Sequence, residues 1–174
     1  MDLTSVHAPT AQSARPSLET ELAAEFPALL NYVTRLIDSL DAAPGIATAA
    51  MRRVLEKAGG NKPLNEVRAD IYKVATELGG KWLRPRRFFR RHELEVNLTD
   101  FPHADTRRAL RKDTVERALM ALSLEARSLI LLRDSVRLSY DELSQVIGTS
   151  PKKLIHALDQ ARAELLEVYG YIKF

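Results

Sequence analysis

Apolar side chains between residues 18 and 83 recur every three or four positions, which is the spacing of amphipathic helices. The first series runs from Leu22 to Leu40 and contains Pro27, which we expect to divide it into a short and a longer helix. Helix-breaking residues separate the series, namely Pro44 with Gly45, Gly59 with Gly60, and Pro63. The pattern therefore predicts helices throughout this half of the chain, and strand-like alternation is almost absent.

Residues 113–171 show the same spacing in shorter series. In the phrase LSYDELSQVIGTS, Ser139 precedes an apolar series and Glu142 follows three residues later, which is the arrangement of a capping box. Gly148 predicts the end of this helix, and Pro151 is a favoured first residue for the next one. Two helices joined by a short glycine-containing turn predict a helix-turn-helix.

Polar and proline-containing stretches predict the domain organisation. We expect a flexible tail at 1–17, a helical domain at 18–91, a linker at 92–112 and a second helical domain at 113–174. The predicted fold class is all-α, with two small helical domains joined by the linker.

The composition narrows the range of functions. The 174 residues include no cysteine, which excludes disulfides, thiolate metal sites and cysteine nucleophiles. No apolar run approaches the ~18 residues of a membrane span, and the first residues lack the basic-then-apolar order of a secretory signal. We therefore expect a cytoplasmic protein.

Residue types that carry catalytic chemistry are not grouped in this sequence. The four histidines are scattered, and the chain has no glycine-rich phosphate loop. Its carboxylates lie on polar helix faces, where solvation explains them better than acid–base catalysis does. We expect no enzymatic activity, no catalytic residue, no metal and no cofactor.

The net charge of +3 conceals an uneven distribution. Residues 81–112 hold 10 basic and 4 acidic side chains, whereas the segments before and after are slightly acidic. The densest part, KWLRPRRFFRR, places Lys81, Arg84, Arg86 and Arg87 among aromatic residues. Such a run can neutralise phosphates and stack on unpaired bases, or it can be a solvated helix end whose aromatic residues pack inward.

The stretch Ala118–Leu165 reads ALMALSLEARSLILLRDSVRLSYDELSQVIGTSPKKLIHALDQARAEL. Without a gap, it resembles the pattern ALxxLPxxxRxxxxLRxxxGLSYxEIAxxLGxSxxTVKSRLxRARxxL of the extracytoplasmic-function (ECF) group of sigma-70 transcription initiation factors. The resemblance implies a helix-turn-helix domain that binds the −35 promoter element. The candidate DNA contacts in this domain are Lys152, Lys153, His156, Gln160 and Arg162.

These candidates have different chemistry. Lys152, Lys153 and Arg162 are candidate phosphate contacts, while His156 and Gln160 can reach base edges. The alternative is that the two lysines only solvate the first turn of the helix and that Arg162 lies over packed aliphatic side chains.

The first half of the chain resembles the polymerase-binding domain of the same family. The matching stretches are LLNYVTRLIDSLDAAPGIATAAMRRVL at 29–55 and VRADIYKVATELGGKWLRPRRF at 67–88. The resemblance implies that Asp41, Met51 and Arg52 lie at an interface with RNA polymerase core or with an anti-sigma factor. It also implies that the basic run beginning at Lys81 approaches the −10 promoter element.

Both halves depart from the family pattern. Ala43, Pro44, Ala47 and Thr48 replace four polar residues of the segment that would dock on polymerase, and fewer cations remain at 155–160. Two functions are therefore compatible with the sequence. The preferred one is an initiation factor that binds RNA polymerase core and promoter DNA. The other is a sigma mimic that occupies an anti-sigma factor without ordinary promoter recognition.

Overall fold

The structure is a computed structural model that describes residues 18–58, 62, 64–84 and 104–171, and every regular element in them is helical. This confirms the all-α fold class. The tail predicted at 1–17 lies outside the described residues. The helices are α1 (Leu18–Ile37), α2 (Ala43–Ala58), α3 (Leu64–Leu83), α4 (Ala104–Ala121), α5 (Leu124–Ile130), α6 (Tyr140–Ile147) and α7 (Pro151–Tyr171), and a π-helical turn (Leu131–Ser135) follows α5.

Of the two prolines expected to interrupt helices, Pro27 does not, while the interruption expected near Pro44 lies at residues 38–42. Pro27 lies inside α1, which is continuous, because Leu22 and Leu29 on either side are both buried while Pro27 itself is exposed. On that face, water can satisfy the backbone carbonyl that proline leaves without a donor. Pro44 lies in the first turn of α2, where its missing N–H costs no intrahelical hydrogen bond.

The first unit comprises α1, α2 and α3, and two buried tyrosines lie at its centre. The rings of Tyr32 and Tyr72 pack edge to face with centroids 5.4 Å apart. The Tyr32 hydroxyl lies 2.6 Å from Oγ1 of Thr76, and Tyr72 donates to Oε1 of Glu25 over 2.7 Å. Burial raises the pKa of both phenols, and the Glu25 carboxylate raises that of Tyr72 further. Both rings therefore stay neutral and act as hydrogen-bonding parts of the core.

A glycine sets the distance between α1 and α3. A Cβ atom at Gly79 would lie 2.9 Å from Cδ2 of Leu36 and 3.2 Å from Cγ2 of Ile37, both of which are buried. The backbone of α3 can therefore approach α1 closely at this point, which is the reason for a glycine inside a helix.

The second unit comprises α4, α5, the π-helical turn, α6 and α7, and it is organised around the buried side chain of Arg127. The guanidinium donates to the carbonyl oxygens of Leu119, Met120 and Leu122 at the end of α4, and to that of Leu36 near the end of α1. Carbonyl groups at helix C-termini lack intrahelical donors and carry partial negative charge. One cation thus satisfies the ends of two helices that belong to different units.

The two units share a core. Their buried apolar side chains form a single cluster that extends from Leu18 in α1 to Ala161 in α7. Helix α4 begins at Ala104, inside the stretch 92–112 that the sequence analysis assigns to the linker. The domain boundaries remain a prediction, but the second helical unit starts earlier than the sequence pattern indicates, because the first turns of α4 are too polar to show periodicity.

Candidate nucleic-acid and protein interface

The candidate DNA-reading surface is the outer face of α7. Lys152, Lys153, His156 and Gln160 are all exposed there. The opposite face of the helix is anchored because Leu154, Leu158 and Ala161 are buried. Since positions 152, 156 and 160 are spaced by four residues, their side chains lie along one side of the helix. The structure thus brings four of the five predicted contacts of this domain to one exposed surface.

Short-range hydrogen bonds stabilise α6 and the turn that connects it to α7. Ser139 accepts from the backbone N–H of Glu142, whose carboxylate accepts from the backbone N–H of Ser139, so the predicted capping box is confirmed. Gly148 ends α6 in the left-handed conformation with φ of 76°, and the Ser144 hydroxyl donates to the carbonyl of Thr149 in the turn. These contacts hold α6 and α7 at a defined angle.

Arg162 is placed differently from the other four candidates. Its guanidinium forms an ion pair with Asp134 of the π-helical turn, with an Nη2–Oδ1 distance of 2.5 Å. The hydrogen bonds that Arg162 donates to the Asp134 carboxylate raise the pKa of Arg162, and the negative charge of Asp134 offsets the positive charge that a phosphate would otherwise meet. Arg162 thus makes an intramolecular ion pair at the surface, and its contact with DNA stays a prediction.

The basic run at the end of α3 is only partly described. Lys81 and Arg84 are exposed, whereas Arg86 and Arg87 lie outside the described residues. Trp82 is half-buried and packs against the core, so at least one aromatic residue of the run faces inward. Glu77, one turn before Lys81, is also exposed and adds a negative charge to this end of α3.

The predicted protein interface on α2 is smaller than the sequence indicates. Asp41 and Arg52 are exposed, but Met51 is only 9% exposed and packs in the core. Ala43 and Ala47 are fully buried as well, so these two departures from the family pattern contribute to packing. Of the replaced positions, Pro44 and Thr48 reach the surface.

A polar groove between α2 and α3 was not predicted from the sequence. It encloses about 400 Å³. Four cations and two carboxylates line it, together with small apolar side chains: Arg53, Lys57, Lys62 and Lys73, and Asp70 and Glu77. The surplus of positive charge suits an anionic ligand. The signal in the sequence is the pair Arg53 and Lys57 on one face of α2, four residues apart, which is too common a spacing to identify a site.

Two further features are absent from the described part of the chain. Within residues 18–58, 62, 64–84 and 104–171, no three His, Asp or Glu side chains are grouped so that they could hold a metal ion. Among the helices that the structure describes, none is both long and apolar enough to cross a membrane.

The chain is similar in sequence to a known sigma factor over most of its length. No protein-family model matches the chain. The RNA polymerase sigma factor YlaC of Bacillus subtilis (strain 168) is 26% identical over 157 residues, which cover 87% of this chain and 91% of the relative. The chain is thus similar to sigma factors of the sigma-70, ECF-like group. That similarity extends over both units, so the resemblance seen in the sequence is confirmed along nearly the full length.

A solved structure has the same fold as this sigma-factor-like chain. The sigma factor RpoE of Bartonella quintana, crystallised in complex with the anti-sigma factor NepR, matches with a TM-score of 0.64 and 17% identity. The match covers 86% of this chain and 94% of that one. The similarity to a transcription factor along both units agrees with the expectation that the chain is not an enzyme.

Proposed function

We propose that the chain is a transcription initiation factor that binds RNA polymerase core and directs it to promoter DNA. The observation that carries this proposal is the exposed polar face of α7, with Lys152, Lys153, His156 and Gln160, on a helix-turn-helix whose capping box is intact. The similarity to a sigma factor along both units supports it.

Helix α7 supplies the contact with the −35 element. Its exposed N-terminal half enters the major groove, which is wide enough for one helix. Lys152 and Lys153 in the first turn meet phosphates and set the register, and His156 and Gln160 meet base edges. Asp159 is exposed on the same helix and disfavours close approach of a phosphate, so binding at this end is weaker than Lys152 and Lys153 alone would allow.

The first unit contacts the −10 element. Lys81 and Arg84, with Arg86 and Arg87 of the same run, attract the DNA backbone at the end of α3. The groove between α2 and α3 adds a second cationic surface, in which Arg53, Lys57, Lys62 and Lys73 favour a separated, anionic DNA strand.

The protein partner binds on the outer face of α2. Arg52 offers a charged side chain there, and Asp41 offers another just before the helix. Both RNA polymerase core and an anti-sigma factor are candidate occupants of this face. The neighbouring fold was crystallised with an anti-sigma factor, which supports a partner of that class for this chain. Polymerase is the preferred partner, because the burial of Ala43 and Ala47 removes part of the argument that the docking face has degenerated.

The experiment is transcription from a promoter template by core polymerase with the purified chain. Lys152→Ala with Lys153→Ala should weaken promoter binding and reduce the slope of log affinity against log salt by about 2, one for each phosphate contact. Arg52→Ala removes one exposed cation from the other unit, and should weaken the polymerase complex while leaving that slope unchanged. Two results together would contradict the proposal and favour the sigma mimic: no transcript with the parent chain, and DNA binding that is unchanged by Lys152→Ala with Lys153→Ala.

A further inference from the structure

One large apolar side chain lies on the exposed face of α7, among the candidate DNA contacts. Ile155 is 47% exposed, whereas the neighbouring aliphatic residues Leu154 and Leu158 are buried. Lys152 and Asp159, which lie one turn before and one turn after Ile155 on the helix, are exposed and charged. Ile155 is thus an isolated apolar side chain within a polar surface.

The residue type at position 155 departs from the family pattern. Matched without a gap, the run TVKSRL of the pattern corresponds to residues 153–158, so Ile155 stands where the pattern has lysine. Gln160 stands where the pattern has arginine, and both positions are exposed. Two exposed cations that would attract phosphates are therefore replaced by neutral side chains. At position 155 the replacement leaves only apolar contact.

The surroundings of Ile155 do not suit the centre of a protein interface. Such centres are apolar and depleted of charge, whereas the exposed neighbours of Ile155 include Lys152, His156 and Asp159. A duplex suits this surface better. The base edges in the major groove present hydrogen-bonding groups together with one apolar group, the C5-methyl of thymine. A single aliphatic side chain among polar ones matches that arrangement.

The position of Ile155 along the helix also fits contact with a base. A recognition helix meets base edges with its N-terminal residues, and Ile155 is the fifth residue of α7, which begins at Pro151. Isoleucine is branched at Cβ, so few rotamers are available to it and little conformational entropy is lost on contact. The side chain is therefore suited to recognising a methyl group at a fixed place.

We propose that Ile155 is a specificity-determining residue of α7, which packs against the C5-methyl group of a thymine and so selects a T·A pair at one position of the −35 element. The inference rests on the proposed function, because it requires α7 in the major groove. Lys152 and Lys153 set the register on the phosphates, and Ile155 adds selectivity for one base pair. Removal of one methyl-sized group from water changes a binding constant about three- to fivefold.

Uracil in place of thymine tests this contact, because it lacks the C5-methyl group and keeps the O4 acceptor. The full-length chain with core polymerase first selects −35 elements from promoter templates that are randomised at that element. Each thymine of the selected element is then replaced by uracil, one position at a time. At one position we expect the replacement to weaken binding about three- to fivefold.

Ile155→Ala should remove the preference, so that the variant binds the thymine and uracil templates equally well. Leu166→Ala is the matched control, because Leu166 is an aliphatic residue of the same helix, 70% exposed and 11 positions further along, and it should keep the preference of the parent chain. The ratio of thymine to uracil binding is measured within each variant, so a partly unfolded preparation does not change it.

Ile155→Lys introduces the residue of the family pattern and gives an independent readout. It should abolish the preference for thymine over uracil, and it should steepen the dependence of log affinity on log salt by about 1, the value for one added phosphate contact. A preference for thymine that persists in this variant and in Ile155→Ala would overturn the inference, because another residue would then contact the methyl group.

The parent chain supplies the remaining outcomes. A selected element without a T·A pair, or equal binding of thymine and uracil at every position, would overturn the role of Ile155 and leave the proposed function in place. If the parent chain with core polymerase selects no −35 element, the proposed function itself fails, and the inference falls with it.

Discussion

Arg68 in α3 and Glu142 in α6 are joined by a hydrogen bond of 3.2 Å, and the second oxygen of the same carboxylate accepts from the backbone N–H and hydroxyl of Ser139. Glu142 therefore has two tasks. It caps the first helix of the helix-turn-helix, and it binds that helix to the first unit. The geometry of the DNA-reading surface and the contact between the units are thus coupled through one side chain.

This carboxylate predicts a dependence of stability on pH. Burial alone would raise the pKa of Glu142, but the hydrogen bonds from Ser139 and the charge of Arg68 outweigh it and lower the pKa below the ordinary value of 4.5. Arg68 also contacts Glu25, so both carboxylates face one guanidinium. Because the pKa is lowered by folding, the contribution of Glu142 is fully present above about pH 4.5 and is lost as the pH falls through the lowered value.

Urea unfolding at pH 7 and at successively lower pH measures this effect. We expect Glu142→Gln to cost stability at pH 7 and to cost less as the pH falls below 4.5, because the parent chain then loses the same charge. Glu56→Gln removes an exposed carboxylate of α2 and should cost little at any pH. A cost for Glu142→Gln that is constant down to the acid transition would show that the carboxylate charge does not contribute.

Arg127 should be the most sensitive polar side chain of the core. Arg127→Ala leaves the carbonyls of Leu36, Leu119 and Met120 without their guanidinium donor in a buried region, and we expect a loss of at least about 3 kcal/mol. Arg53→Ala is the control at an exposed position and should cost less than about 0.5 kcal/mol. Denaturant unfolding measures both, and similar values would contradict the role assigned to Arg127.

Arg137 occupies a backbone conformation that favours glycine. Its φ is 63°, and the family pattern has glycine at the corresponding position, immediately before the LSYDEL phrase. A side chain in this left-handed region costs about 1 kcal/mol, so Arg137→Gly should raise the free energy of unfolding by about that amount. Arg117→Gly, inside α4, should lower it by a similar amount because helix interiors disfavour glycine. A destabilised Arg137→Gly chain would mean that the arginine makes a compensating contact.

Gly79 should not tolerate a larger side chain. Alanine is favoured in helices by about 1 kcal/mol, but here its Cβ would lie 2.9 Å from Leu36, which is fully buried and has little room to move. Overpacking should outweigh the helix propensity, and we expect Gly79→Ala to cost about 1–2 kcal/mol. Gly45→Ala meets nothing within 4 Å and should be neutral or stabilising. Thermal unfolding of the two variants gives the comparison.

Local sequence patterns correctly predicted helix ends that are fixed by residues close in sequence. The capping box of Ser139 with Glu142 and the end of α6 at Gly148 were correct because each involves partners within a few residues. The interruption expected at Pro27 was wrong, because side chains on either side of it are buried and keep α1 continuous. The interruption expected near Pro44 occurs at residues 38–42, because Pro44 itself fits the first turn of α2.

Contacts between distant residues could not be predicted in this way. Arg68 and Glu142 are 74 residues apart, and Arg35 and Ser135 are 100 apart, so no periodicity links them. The ion pair of Arg162 with Asp134 was not predicted either, because the two residues are 28 positions apart and no local pattern links them. Met51 was expected at an interface for a similar reason, since its burial depends on how α2 packs.

An initiation factor must bind RNA polymerase core, so binding of the chain to purified core decides whether it has this function. With the chain labelled at Leu166→Cys, fluorescence anisotropy should rise on titration with core polymerase and saturate at one chain per core. An excess of unlabelled chain should reverse the rise, and Arg52→Ala should shift the titration to higher core concentration. No change in anisotropy up to micromolar core polymerase would contradict the claim.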